Sequence, residues 1–278
     1  MLAEELGSRV IERYGRLFLV KGRDMPLWAQ NVWVKPGIFR FSSISQAVTH
    51  LRGQQRSWWL HSTHHHRRAE LIQKQLPPIK PKPIEFMASV PEAPLGSWTL
   101  LDAGTMVYSP VCSNPFPDGE VEFVENKTEP PSRAYLKLWE LFTLVGRHPA
   151  AGEKVVDLGA APGGWTWVLD RLGCHVVSVD KAPLAVTVSE RVEVRAESAF
   201  GLSPIQGATW MFSDVICYPE RLLELVKKWE SVVPNLVCTI KFQGPTDFAI
   251  IKEFLSIPGS RILHLNCNRH ELTWWRFA

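Results

Sequence analysis

The rhythm of apolar positions changes near residue 132. Beyond it, short runs rich in apolar residues alternate with longer stretches in which apolar residues recur every three or four positions. The first pattern marks strands buried on both faces, and the second marks helices packed along one side. Strands are expected at 154–158, 175–179, 191–196, 209–213 and 236–240, helices at 133–145, 165–172, 219–229 and 246–256, and a closing hairpin at 262–266 and 272–277. In the helix over 133–145, Leu136, Trp139, Leu141 and Leu144 can face a core, and Ser132 can cap the start. Strands alternating with helices at this spacing make a doubly wound, mostly parallel α/β sheet with an antiparallel C-terminal strand. Such sheets hold ligands at the carboxyl ends of their strands.

Residues 1–130 have a different texture. Short apolar runs are interleaved with Trp28, Trp33, Arg40, Arg52, Arg56, Trp58, Trp59, Arg67 and Arg68, and the proline-rich run at 76–83 cannot be regular helix or strand and reads as a stiff connector. Between 97 and 124 two strand-like stretches flank a turn region at 113–119, which carries Asn114, Pro115, Pro117, Asp118 and Gly119. A small α+β domain over 1–130, ahead of a larger domain over 131–278, is the expected organisation.

Charge sharpens this division. The first 90 residues hold 14 Lys/Arg against 6 Asp/Glu, and the remainder 17 against 22. That asymmetry suits a polyanion-binding module ahead of a catalytic one, or simply a solvated basic surface. At least two of the four tryptophans are expected in a core, leaving the others able to stack on bases. His61, His64, His65 and His66 lie too close along one run to present a proper coordination geometry, so no metal is expected. The five cysteines (Cys112, Cys174, Cys217, Cys238, Cys267) are scattered and never spaced C-x-x-C, which argues against a disulfide framework and suits a reducing compartment. No uncharged apolar run approaches the roughly 18 residues of a membrane span, and the acidic start is unlike a signal peptide. A soluble, cytoplasmic protein, monomeric and without membrane contact, is expected.

The candidate chemistry begins at Val155-Val156-Asp157-Leu158-Gly159-Ala160-Ala161-Pro162-Gly163-Gly164-Trp165-Thr166. A buried strand delivers an acid to its end, and small residues then let a ligand approach the backbone before a helix begins. A dinucleotide site would show G-x-G-x-x-G, whereas Gly159, Ala161 and Gly164 lack the middle glycine that admits a pyrophosphate. An anion would also sit poorly beside Asp157. A cationic ligand bearing an amino acid fits better, because Asp157 can attract its ammonium and sulfonium end. One strand later Asp180 ends an apolar run, placed to hydrogen-bond the ribose hydroxyls of an adenosine.

At these residues the sequence resembles the FtsJ-like family of S-adenosylmethionine-dependent RNA ribose 2′-O-methyltransferases. It is most similar to the RlmM branch, which methylates a cytidine ribose in large-subunit ribosomal RNA. The motif from Asp157 to Thr166 carries the resemblance, together with Ser132-Arg133-Ala134-Tyr135-Leu136-Lys137-Leu138 and Val179-Asp180. It covers about half the chain, from Ser132 to the end, and extends weakly back through 108–123. The resemblance implies a Rossmann-like methyltransferase domain, S-adenosylmethionine as cofactor and ribosomal RNA or its precursor as partner. It implies cofactor contacts at Asp157, Gly159, Ala161, Pro162, Gly163, Gly164, Trp165, Asp180, Ser198 and Asp214. It further implies a Lys-Asp-Lys-Glu catalytic set, falling here on Lys137, Asp214, Lys241 and Glu271. Ser198 stands where the family usually has an aspartate contacting the adenine amine, which touches cofactor affinity more than chemistry. The RlmM branch also carries a larger RNA-binding region with a THUMP-like module, so residues 1–130 are expected to be a shortened form of it.

Such a reaction needs such a set. A ribose hydroxyl is a poor nucleophile at neutral pH and must lose its proton as the methyl transfers. A lysine at its reference pKa of about 10.4 is protonated and cannot take that proton; burial and a like-charged neighbour lower the value, and nearby carboxylates raise it. Two alternatives of other kinds stand beside this one. One is a methyltransferase acting on a nucleobase or small molecule; amine-directed enzymes of this fold typically end their fourth strand in an Asn/Asp-Pro-Pro-aromatic run, which Asp214-Val215-Ile216-Cys217 lacks. A non-catalytic RNA-binding protein keeping the fold as scaffold would have no need of Lys241. A nicotinamide dehydrogenase is more distant.

Overall fold

The computed structural model describes residues 1–90 and 93–278, which divide into two units, Met1–Phe123 and Val124–Ala278. The second holds the expected α/β sheet. Its elements are α4 (Tyr135–Val145), β7 (Lys154–Leu158), α5 (Gly164–Arg171), β8 (His175–Val179), β9 (Val192–Arg195), β10 (Trp210–Ser213), α6 (Pro219–Trp229), β11 (Asn235–Lys241), α7 (Phe248–Ser256), β12 (Ser260–Leu263) and β13 (Glu271–Arg276). Seven strands lie in the order β12-β13-β11-β10-β7-β8-β9, with β13 antiparallel to both neighbours and the others parallel. The chain winds outward one way from β7 through β8 to β9, and the other way from β10 to β11. The reversal lies between β7 and β10, where a sheet of this type opens its ligand crevice.

Local sequence explains the limits of these elements. Pro219 opens α6 at a position where its missing N–H costs nothing. Asp247 caps α7, its Oδ1 accepting from the Ala249 and Ile250 amides, so the helix starts at Phe248 and not at Thr246 as periodicity suggests. Ser132 does not cap α4 directly; its Oγ accepts from the Ala134 amide, before the first helical residue. Leu136, Trp139 and Leu141 are buried as expected, while Leu144 is only half-buried and Leu138 and Phe142 take part in the core instead.

The first unit contains α1 (Leu2–Leu6), β1 (Val10–Tyr14), β2 (Leu17–Val20), β3 (Gly37–Arg40), α2 (Ile44–Gln54), β4 (Trp58–Leu60), α3 (His66–Gln73), β5 (Gly96–Leu100) and β6 (Thr105–Ser109). β1 and β2 pair as a hairpin, and a mixed sheet runs β3-β6-β5-β4. Ala47, Val48, Leu51, Ala69 and Ile72 from the helices pack with Trp58, Trp98, Leu100 and Met106 from the sheet. Trp28 and Trp58 are buried, and Trp33 and Trp59 half-buried.

The hairpin in this region turns at 101–104, between β5 and β6, and not at 113–119. A short turn suffices there: Asp102 Oδ1 accepts from the Gly104 amide at 2.7 Å, and Leu101 N–H donates to the Thr105 carbonyl at 2.9 Å. The residues at 113–119 instead fold back as a loop. The Asn114 side chain donates to the Gln30 carbonyl, and Asp118 accepts from Trp59 Nε1 at 2.9 Å and pairs with His61 Nδ1 at 2.7 Å. With His61 engaged there and His66 bonded to Ser62, the histidine run turns to separate partners. Among the described residues no cluster of three or more His, Cys, Asp or Glu is placed to hold a metal ion, and no helix is long and apolar enough to cross a membrane. All five cysteines are free.

Candidate active site

Two strand ends and one register pair bring the charged residues together. In the β10–β7 register Asp157 lies opposite Phe212 and Leu158 opposite Ser213, so Asp214 emerges beside the loop that follows β7. In the β11–β13 register Lys241 lies opposite Glu271. Lys137 reaches the same point from the first turn of α4. Its Nζ lies 3.1 Å from both Asp214 carboxylate oxygens and 2.6 Å from Glu271 Oε1. Lys241 Nζ lies 3.0 Å from Asp214 Oδ1 and donates to the Asp214 carbonyl at 2.5 Å. Four residues spread over 134 positions of sequence thus form one continuous network, Glu271–Lys137–Asp214–Lys241.

The two lysines are not equivalent. Burial alone would lower the pKa of Lys137, but Asp214 and Glu271 together outweigh it and hold the ammonium above its ordinary value. Lys137 is therefore a fixed cation that aligns two carboxylates. Lys241 touches one carboxylate, at the open end of the network.

The loop after β7 is a cradle. The Gly159 and Ala160 amides donate to the Val179 carbonyl, fastening the loop to the end of β8. Asp180 braces it further, Oδ2 accepting from the Ala161 amide at 3.0 Å and Oδ1 from the Ala182 amide at 2.9 Å. Gly159 sits at φ +77, and a Cβ there would come within 2.8 Å of the Val215 backbone; only glycine lets the segment after β10 lie so close. At Gly163, φ +114, a Cβ would meet Val186 at 2.4 Å, and Pro162 is exposed beside it. Gly164 opens α5 against Ser132. The Trp165 side chain, in contrast, turns away from the cradle: its indole N–H donates to the Ala134 carbonyl at 3.0 Å and its ring meets Phe212 edge-on, so it joins α5 to α4. Ser198 stands half-buried just beyond β9.

Asp157 is the most unusual group. It is 1% exposed; Oδ2 accepts from Thr166 Oγ1 at 2.6 Å, and Oδ1 finds no donor among the described residues. Burial chiefly, with the nearby charges of Asp214 and Asp180, lifts its pKa to about 7 against the Thr166 hydrogen bond. A buried carboxylate with one oxygen left without a donor suits a cationic donor group. Thr166 was not singled out from sequence, although it lies inside the motif; it also contacts Ser178 Oγ at 2.9 Å and so fixes the Asp157 carboxylate against β8.

Residues 130–233 match the family model described as FtsJ-like methyltransferase. That match lies wholly within the second unit. Its sequence is 44% identical over 107 residues to a ribosomal RNA large subunit methyltransferase M of Alkalilimnicola ehrlichii, covering 36% of this chain and 30% of the relative. It is 41% identical over 104 residues to the like-named protein of Halorhodospira halophila, covering 36% and 31%. The match therefore spans about a third of those relatives' own length. Among solved structures, a magnesium protoporphyrin IX methyltransferase of Synechocystis with bound S-adenosylmethionine overlays with a TM-score of 0.38 at 13% identity, over 52% of this chain and 78% of that one; so loose an overlay says nothing of function. The matched span contains the loop after β7, Lys137 and Asp214. Lys241 and Glu271 lie beyond it, and the fold alone brings them to the other two.

Proposed function

We propose that the chain transfers a methyl group from S-adenosylmethionine to a ribose 2′-hydroxyl of large-subunit ribosomal RNA, and that Lys137, Asp214, Lys241 and Glu271 carry the chemistry. The observation behind this is the convergence of those four side chains, next to a cradle in which the buried Asp157 Oδ1 finds no donor among the described residues. The cradle fits the cofactor. Asp157 would take its ammonium, the backbone from Gly159 to Gly163 would lie along its amino-acid end, and Asp180 and Ser198 would lie toward its adenosine. The bound cofactor supplies an electrophilic methyl carbon.

The chain's own residues then prepare the nucleophile. Lys137, held between Asp214 and Glu271, keeps both carboxylates in place. Asp214 orients Lys241 and can accept a hydrogen bond from the entering 2′-hydroxyl. Lys241 Nζ is the group that receives the hydroxyl proton as the oxygen attacks, and the half-buried setting strengthens each of these contacts over its worth in water. In-line alignment of hydroxyl oxygen, methyl carbon and sulfur supplies much of the remaining acceleration. Incubation with labelled cofactor and large-subunit ribosomal RNA tests the reading. Incorporation that needs Asp214 and Lys241 supports it; incorporation indifferent to both overturns it.

The basic first unit is the proposed RNA-binding partner of this domain. Arg56, Arg67 and Lys74 are exposed, and replacing all three by serine should leave the fold intact. Because neutralised phosphates release counterions, RNA affinity should fall and the slope of log K against log salt should drop by roughly two, about 0.7 per lost contact. Filter binding across a salt series measures this. An unchanged slope would make the positive excess an ordinary solvated surface. Removing residues 1–90 outright is a poorer test, since it would strip β3 and β4 from the sheet and expose Trp98.

A further inference from the structure

α4 is an apolar helix with two charged side chains, Lys137 and Glu140. Glu140 is 1% exposed, and no cation among the described residues pairs with it. Its carboxylate instead accepts two backbone amides of the segment between β12 and β13: Asn266 N–H to Oε1 at 2.6 Å and Cys267 N–H to Oε2 at 2.8 Å. Burial raises its pKa and the two amides pull it back; the Cys267 thiol lies beside it and stays protonated. Four residues beyond Cys267 the chain reaches Glu271, which grips Lys137.

The helix therefore holds this segment twice. Lys137 and Glu140, three residues apart and so neighbours on the helix surface, bind the two ends of a stretch only six residues long, 266 to 271. Within it Asn268 is locked to Thr273 Oγ1 at 3.0 Å and to the Leu265 carbonyl. A buried unpaired carboxylate is a costly way to satisfy two amides if cohesion is all that is needed. Its value lies in geometry: a short rigid strut can set where the next side chain begins.

We propose that Glu140 is a positioning residue for methyl transfer, gripping the Asn266 and Cys267 amides so that Glu271 is presented to Lys137 and, through it, Asp214 is held toward Lys241. This rests on the catalytic reading above. Released from Glu140, the segment can carry Glu271 away; Lys137 then binds Asp214 alone and draws it from Lys241.

The test uses the full chain, under single-turnover conditions with saturating S-adenosylmethionine and ribosomal RNA. Glu140→Gln should slow methyl transfer about 10- to 100-fold, the scale of a small misplacement at a reacting centre, with cofactor and RNA affinities within about twofold. In a Glu271→Gln background the same change should cost under about twofold, because it acts through Glu271. An equal loss in both backgrounds would mean a general structural effect, and a normal rate in Glu140→Gln with Glu271→Gln impaired would remove the positioning role alone. A normal rate in Glu271→Gln would remove the catalytic reading and this proposal with it. Should Glu140→Gln fail to fold, amide hydrogen exchange on the unaltered protein decides: slow exchange at Asn266 and Cys267 supports the strut, and exchange as fast as an open loop contradicts it.

Discussion

Lys241→Ala should leave the protein folded and its affinity for S-adenosylmethionine near normal, while methyl transfer slows by about 10²–10⁴-fold, the usual worth of a positioned acid–base group. The proposed cofactor cradle is built from β7, β8 and their loops, whereas Lys241 ends β11 and its Nζ pairs with Asp214. Lys241→Arg should fail almost as badly, since a guanidinium keeps the charge but takes no proton near neutral pH. Asp214→Ala should lose activity too, and the double variant little more, as members of one unit do. Calorimetry for the cofactor beside a rate measurement for transfer separates the two effects. Full activity in Lys241→Ala would remove the mechanism and leave the fold untouched.

The second large effect belongs to Asp157. Asp157→Ala should weaken cofactor binding by about 10²–10³-fold, in the range for deleting one partner of a buried charge pair. The free protein should not suffer. The folded carboxyl titrates at about 7, above an unfolded value of about 3.9, so the folded state binds the extra proton between them. That stabilising contribution is complete below about pH 4 and is lost as pH rises through about 7. Asp157→Asn should therefore lose less stability than the unaltered protein between pH 5 and 8, by thermal melts. Cofactor binding runs the other way, because an ammonium prefers the carboxylate. Affinity should tighten as pH rises through about 7 and then level near 8, where an α-amino group begins to lose its own proton. A flat affinity profile would mean that the cation sits elsewhere. Gly163→Val is a less informative variant, since a side chain there meets Val186 before it meets any ligand.

Much of this was legible in sequence where one physical rule dominated. β7 and β8 are each built on a Val-Val pair and stop at a glycine or an aspartate, and α6 begins at a proline; their limits follow directly. The four charged residues could be placed at element ends, and their union follows from strand order. Other features depend on contacts between distant parts. The β5–β6 hairpin was hidden because Asp102-Ala103-Gly104 is a weaker turn signal than the Asn- and Pro-rich stretch after it, whose side chains serve instead to fasten a loop. Trp165 lies in the motif, yet its indole is claimed by the start of α4. Glu140 carried one hint, a carboxylate alone in an apolar helix, but its partners lie 126 and 127 residues away. The raised pKa of Asp157 needs burial and two neighbouring acids, neither visible in a linear motif.

The most direct measurement asks which atom of the RNA receives the methyl group. Ribosomal RNA labelled by the protein from radioactive S-adenosylmethionine is hydrolysed in alkali, which cannot cut beside a 2′-O-methylated ribose. The account predicts label in alkali-stable dinucleotides, lost in Lys241→Ala. Label recovered in mononucleotides would place the methyl on a base and contradict it.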